Sequence, residues 1–329
     1  MAETVHDVII VGAGPAGLGA GLYTARDRLN TIMIEKFMPG GQIATTDRIE
    51  NYPGFDRIDG PGLVEKLQKQ VESFGAHIQG VTQVTGMEKQ ADSNIAVVCG
   101  DKRFVGRAVI LAPGSTYRHL DIPGEDTFHG SGVSYCGTCD APFFRDKEVV
   151  CVGGGNTAVE ETLHLCKYAS QVTMIHRREE FRAAPVLVEE LLAKAEAPDT
   201  NLTIKYNTIP LAVQGDKKVD SIKLKNVKTE AEEDFACEGV FVFVGHIPNT
   251  DFLTDALELT DLGFIKCDPA YLRTSMPGVF VAGDCRAGAA MQLVTAVADG
   301  VNAAIWLKEY YRDPTWWNEP AADMLVMNG

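Results

Sequence analysis

The residues whose types and spacing most directly suggest chemistry lie in Tyr135-Cys136-Gly137-Thr138-Cys139-Asp140. Two cysteines separated by two residues can close a redox disulfide within one local turn, or supply half of a zinc site. No second Cys/His pair with the CxxC-type gap of a zinc ligand pair stands elsewhere in the sequence to complete four ligands, so no metal is expected. The other six cysteines (Cys99, Cys151, Cys166, Cys237, Cys267 and Cys285) have no close sequence partner and read as small buried hydrophobes. About a dozen residues after the pair, a strand-like run ends in Gly153-Gly154-Gly155-Asn156-Thr157-Ala158, a turn of nucleotide-binding type. A thiol pair beside a nucleotide site suggests electron transfer.

Such residues need elements to position them, and the chain carries one unit twice. Asp7 to Val11 reads as a buried strand, Gly12-Ala13-Gly14-Pro15-Ala16-Gly17 as a turn, Leu18 to Arg28 as a helix and Thr31 to Glu35 as a second strand. This is the βαβ dinucleotide fingerprint, with a tight turn at Gly12, close backbone approach to a pyrophosphate at Gly14 and close helix packing at Gly17. The helix N-terminus offers unpaired N–H groups to phosphate. Glu35 falls 23 residues after Gly12, where a ribose hydroxyl needs an acceptor.

The second copy runs from Glu148 through Gly153, Gly155 and Ala158, and Gln171 to Ile175 forms its second strand. Here the count of 23 from Gly153 lands on His176, followed by Arg177 and Arg178, with Arg182 one helical turn on. An acidic residue at this place accepts from a ribose 2′-hydroxyl, whereas arginines pair with a 2′-phosphate. One site therefore suits an adenine dinucleotide with a free ribose and the other suits NADPH.

Ile95 to Cys99 and Lys102 to Ala112 follow the first copy as strands, and Val219 to Lys225 and Gly239 to Val244 follow the second. About 84 residues then remain, too few for a third unit but suited to completing the first. Tyr271 to Thr274 and Gly278 to Ala282 read as strands, and Gln292 to Tyr310 as a long helix. The expected architecture is α/β, two Rossmann-like dinucleotide-binding domains with the second inserted into the first; the resemblance given below makes them FAD/NAD(P)-binding. The boundaries are 1–116 for the first part of the first domain, 117–245 for the NADPH domain with the CxxC pair, and 246–329 for the second part of the first domain. Asp313 to Gly329, with Trp316, Trp317 and Pro320, reads as a tail covering a groove or a subunit contact.

The chain has 329 residues, 45% of them hydrophobic and 23% charged, which is globular composition with room for two cores. A formal charge of −15 argues against a protein that mainly holds nucleic acid or an anionic membrane. The N-terminus lacks a signal-peptide pattern, and no apolar run approaches the roughly 18 residues of a membrane span. A cytoplasmic protein with no membrane partner is the expectation.

In order and spacing these motifs resemble the low-molecular-weight, bacterial-type thioredoxin reductase family, and the likeness covers nearly the whole chain. The turn at Gly12, Gly14 and Gly17 is similar to that family's FAD fingerprint. Gly40-Gly41-Gln42 and Glu50-Asn51-Tyr52-Pro53-Gly54 resemble its isoalloxazine-side loop, and Thr274 to Asp284 resembles its second FAD motif. The resemblance implies FAD contacts from Gly12, Gly14, Pro15, Ala16, Gly17, Glu35, Lys36, Gly41, Gln42, Asn51, Val84, Gly114, Gly283, Asp284 and Gln292. For NADPH it implies Gly153, Gly155, Asn156, Thr157, Ala158, His176, Arg177, Arg178 and Arg182.

It further implies a Cys136–Cys139 disulfide with Cys139 on the flavin side, Cys136 as interchange thiol and Asp140 as general acid. The activity implied is NADPH-dependent reduction of thioredoxin, by a homodimer, with a rotation between domains hinged near Arg118 and Gly245. The alternative is a related flavoprotein reductase with another donor or acceptor, peroxiredoxin-type or ferredoxin-linked. Three positions depart from the family pattern: Pro113 for threonine, Ala141 for glycine and Met291 for a cation. Met291 bears on NADPH affinity.

Overall fold

The structure, a computed structural model, describes residues 4–46, 48–253 and 256–318. The chain divides into two compact units, one of Met1–Thr116 with Ile247–Gly329 and one of Tyr117–His246.

The first unit opens with β1 (Val5–Val11), α1 (Pro15–Arg26), β2 (Thr31–Ile34), α2 (Gly60–Ser73) and β3 (His77–Gln79). The antiparallel run β4 (Gly86–Lys89), β5 (Ile95–Cys99) and β6 (Lys102–Leu111) follows, and β7 (Ser115–Tyr117) leads out of the unit. The second unit contains β8 (Val133–Ser134), α3 (Gly137–Asp140), β9 (Glu148–Gly153), α4 (Asn156–Leu165), β10 (Gln171–Ile175), α5 (Pro185–Glu196) and β11 (Leu202–Lys205). It continues through β12 (Thr208–Gly215), β13 (Val219–Asn226), β14 (Glu232–Ala236) and β15 (Gly239–Phe243). β16 (His246–Pro248), paired with β7, returns the chain to the first unit, which closes with β17 (Val279–Val281) and α6 (Leu293–Arg312).

Each unit is built on a sheet whose core strands are parallel, the first continuing into the antiparallel β5 and β4. Along the first, the order is β3-β2-β1-β6-β5-β4, with β17 also on β6. The ten-residue β6 serves both partners by dividing its length, Lys102 to Gly106 on β5 and Val109 to Leu111 on β17. In the second unit the order is β11-β10-β9-β15-β8, and β12, β13 and β14 form a separate antiparallel sheet.

The central strands are apolar without interruption because both faces are covered. Alternate residues serve alternate layers. Val8 and Ile10 pack with Ala108, Ile110 and Phe280 on the side of α1 and α6, whereas Ile9 and Val11 pack with Val109, Leu111, Val279 and Val281 on the other. β9 and β15 repeat the pattern, Val149, Cys151 and Phe241 on one side and Val150, Val152 and Val240 on the other. Each fully buried side chain of this size contributes about 1.5–3 kcal/mol.

Three expectations shift. α1 begins at Pro15 rather than Leu18, because proline is pre-set for the first helical position; Gly17 thus lies inside the helix. Tyr271 to Thr274 is not a strand. It is a turn in which the Leu272 N–H donates to the Asp268 carbonyl with Leu272 at φ 59°, leaving only an isolated bridge from Arg273 to Phe280.

Trp316 and Trp317 cover their own unit's core rather than an open groove. Both are buried against Phe280, Trp317 also meeting Tyr310, and Arg273 holds them by donating to both of their carbonyls at 2.9 and 3.2 Å. The rest of the expected tail, from residue 319 and including Pro320, lies outside the described residues. Of the six remaining cysteines, Cys99, Cys151, Cys237 and Cys285 are buried, while Cys166 and Cys267 are only partly so.

Candidate active site

Cys136 and Cys139 are joined in a disulfide, Cα atoms 5.3 Å apart. Both sulfurs are thus used on each other. The bond spans α3, a single helical turn entered from β8, and the Cys139 N–H donates to Cys136 Sγ at 3.2 Å. Ser134 anchors the entry: its hydroxyl donates to Asp140 Oδ2 at 2.6 Å and accepts from the Cys136 N–H at 3.1 Å. Asp140 is therefore fixed at the far end of the turn, with its own N–H on the Cys136 carbonyl at 3.1 Å. From α4, Glu161 accepts from the Thr138 N–H at 2.5 Å and from Thr138 Oγ1 at 2.8 Å. Next in line, Tyr135 donates its phenol to the buried Glu125 at 2.9 Å.

In the same unit, the β9–α4 turn and the arginine segment are tied together. The buried His176 ring places Nδ1 2.7 Å from the Gly153 carbonyl and Nε2 2.9 Å from the Glu180 carbonyl, and stacks on Phe181. The Arg182 N–H donates to the Gly154 carbonyl at 2.8 Å, and Asn156 Oδ1 accepts from the Ala184 N–H at 2.8 Å. Arg177, Arg178 and Arg182 are left exposed around this clasp. His176 is the exception within its motif, because both ring nitrogens already face carbonyls of this chain. Thr157 and Ala158 form the first turn of α4, with Ala158 buried under it.

The first unit gathers its own set. Glu35 closes the first fingerprint, Oε2 accepting from the Ala13 N–H at 2.7 Å and Oε1 from the Phe37 N–H at 3.0 Å. Gln42 donates to the Ser115 carbonyl at 2.6 Å beside Gly114, and Asn51 donates to Gln292 Oε1 at 3.4 Å across 241 residues of sequence. Lys36 is exposed, while the Val84 side chain lies in the core.

Asp284 follows Gly283, whose N–H donates to Asp299 Oδ2 at 3.1 Å; Asp299 also takes Arg286 Nε at 2.6 Å. Burial and the charge of Asp299 push the Asp284 carboxyl up to about 6. Glu161, Ser134, Arg286 and Asp299 carry no signal in the sequence. Each is a common polar residue that becomes informative only through its contact.

The two fingerprints leave room where a dinucleotide needs it. A methyl group at Gly17 would overlap the Gly12 carbonyl, so that glycine serves helix packing. A methyl at Gly14 would meet only Gly41 Cα, at 3.9 Å, and one at Gly155 would meet nothing within 4 Å. These two backbone positions border open space at a helix start, the cradle a pyrophosphate requires.

Residues 6–300 match a family described as pyridine nucleotide-disulphide oxidoreductase. A thioredoxin reductase of Treponema pallidum (strain Nichols) is 44% identical over 303 residues, covering 92% of this chain and 96% of the relative. One from Mycolicibacterium smegmatis is 41% identical, covering 93% and 98%. The crystal structure of thioredoxin reductase from Streptococcus pyogenes MGAS5005 has a TM-score of 0.87 at 38% identity, covering 94% of this chain and 99% of that one.

The chain belongs to the thioredoxin reductase family. Its cofactors are accordingly FAD and NADPH, and its fold is the family's pair of Rossmann-like units. A thioredoxin reductase needs a close dithiol able to cycle, and Cys136 and Cys139 provide it. Among the described residues no helix is long and apolar enough to cross a membrane.

Proposed function

We propose that the chain uses NADPH to reduce its Cys136–Cys139 disulfide and passes the electron pair to the disulfide of thioredoxin. The observation that carries this reading is the disulfide itself, held in a one-turn helix directly ahead of the second fingerprint. When bound, FAD supplies the relay between a hydride donor and a disulfide acceptor. Support for its placement comes from the open space at Gly14 and the groups around it. Pro15, Ala16 and Gly17 present the start of α1, Glu35 and Lys36 stand by the ribose end, and Val84 contributes backbone. Gly41, Gln42, Asn51, Gly114, Gly283, Asp284 and Gln292 complete the FAD set.

NADPH falls to Gly153, Gly155, Asn156, Thr157 and Ala158, with Arg177, Arg178 and Arg182 on its 2′-phosphate. His176 serves that site from within, by fixing the arginine segment to the Gly153 turn.

Once the pair is reduced, the Cys136 thiolate attacks one sulfur of the thioredoxin disulfide. A mixed disulfide forms and one partner thiolate leaves. Cys139 then attacks Cys136 Sγ, which re-forms the intramolecular bond and releases thioredoxin as a dithiol. Asp140, fixed by Ser134, stands at the turn to protonate the departing thiolate. The acidic chain is assigned to the cytoplasm as a homodimer, with no nucleic-acid or membrane partner, in keeping with its charge of −15.

Serine at Cys136 or at Cys139 tests the reading. Each variant should lose thioredoxin reduction while its flavin is still bleached by NADPH. Retained turnover in either variant would route the electrons elsewhere.

A further inference from the structure

Glu161 belongs to neither fingerprint nor to the redox pair, yet it holds the residue between the sulfurs. Both of its oxygens are committed to Thr138, one to the N–H at 2.5 Å and one to the hydroxyl at 2.8 Å. The carboxylate fits because position 137 has no side chain. A methyl on Gly137 would overlap Glu161 Oε2 and stand 3.3 Å from Glu161 Cβ and 3.2 Å from Phe243 Cζ. A glycine inside a helical turn is ordinarily a cost of about 1 kcal/mol relative to alanine. Here it opens the seat for the carboxylate.

We propose that Glu161 is a positioning residue for the redox couple: seated in the gap left by Gly137, it takes both donors of Thr138 and thereby sets how readily the Cys136–Cys139 disulfide is reduced. The proposal rests on reading this pair as the electron-accepting disulfide. Reduction adds two electrons and two protons, breaks the S–S bond and leaves two thiols, or one thiol and one thiolate with one proton fewer. A thiolate at Cys136 is stabilised by nearby N–H donors and destabilised by nearby negative charge. Of the donors at this turn, the Cys139 N–H points at Cys136 Sγ, and the Thr138 N–H is taken by Glu161. Glu161 thus withdraws one donor and adds a negative charge, and both effects disfavour the reduced, thiolate-bearing form. The same helix, α4, begins at the Gly155 turn, so the redox turn and the second fingerprint share one rigid element.

The test uses the FAD-loaded full chain and the variants Glu161→Gln, Gly137→Ala and their combination. Gln keeps the size and one acceptor oxygen but not the charge, while Ala at 137 displaces the carboxylate. Each protein is equilibrated in mixtures of reduced and oxidised dithiothreitol, quenched with acid, alkylated and read by mass for the Cys136–Cys139 state. The rate of Cys136 alkylation against pH, measured on the reduced protein, gives the thiol midpoint. Neither readout uses NADPH or thioredoxin, so failure here is separable from failure of the enzymatic reading, which a thioredoxin assay reports.

The Gln variant should move the equilibrium about tenfold toward the dithiol, about 30 mV for a two-electron couple, and lower the alkylation midpoint. The Ala variant should shift both in the same direction, and the double variant should go no further than the larger single. An equilibrium and midpoint within twofold of the parent in both single variants, or a shift toward the disulfide, would overturn the proposal. So would a lowered melting temperature with the equilibrium unmoved. If the Gln variant does not fold, the Ala variant decides by the same criteria.

Discussion

Asp284 is the carboxyl whose surroundings bear most on pH. Burial first, and the charge of Asp299 second, raise it to about 6 from an ordinary value of 3.8. Between those values the folded chain binds a proton that the unfolded chain does not, so stability falls as pH rises through this window. The flavin-free protein should therefore become more stable to urea from pH 7 down toward pH 5, and Asp284→Asn should flatten that slope. A parent slope of the opposite sign would exclude the burial argument.

Arg178 makes a different prediction. A charge-assisted bond to a 2′-phosphate is worth about 1.5–3 kcal/mol, so Arg178→Ala should raise the KM for NADPH about ten- to a hundredfold. The KM for NADH should stay within about twofold; an equal effect on both would remove the phosphate argument. The arginines stand out in the sequence because charge at a counted position leaves few structural uses, and the structure leaves them exposed. His176 stands at that same counted position, but sequence conveys its residue type and not its burial between two carbonyls. Glu161 was not legible at all, since a glutamate in a helix is ordinary until its partner in α3 is seen.

Among the elements, α1 and α6 pack as closely as backbone allows. A methyl at Gly300 would overlap the Ala16 carbonyl. Overpacking of this kind costs about 1–3 kcal/mol, so Gly300→Ala should lower the urea midpoint and weaken FAD retention, because Ala16 lies at the start of the fingerprint helix. An unchanged midpoint would mean that the two helices can separate freely.

The central strands were readable from their unbroken apolar runs, to the residue for Ile95–Cys99 and Gln171–Ile175. Local pattern failed where tertiary bonds decide. Tyr271 to Thr274 is apolar enough for a strand, yet Arg273 is drawn to Asp268 and the Trp316 carbonyl. Met291 is similar: its departure from the family pattern is visible in sequence, but its left-handed backbone, φ 54°, is not.

At the scale of the molecule, recurrence of strand, glycine turn and helix made a pair of Rossmann-like units legible. The contrast of Glu35 with the arginines led to the expectation of a different ligand at each. The chain crosses between units twice, near Thr116 and near His246, and each unit encloses its own hydrophobic clusters. What sequence could not supply is the set of contacts across long separations, such as Asn51 with Gln292.

The proposed electron path runs from NADPH to flavin, to Cys136–Cys139 and on to thioredoxin. Its most direct test is the visible spectrum of the purified protein in anaerobic titration, first with NADPH, in parallel with NADH, and then with oxidised thioredoxin. A flavin band that NADPH bleaches at far lower concentration than NADH, and that thioredoxin restores with formation of its dithiol, is the result expected. A protein without a flavin band, or a reduced flavin that thioredoxin leaves unchanged, would contradict it.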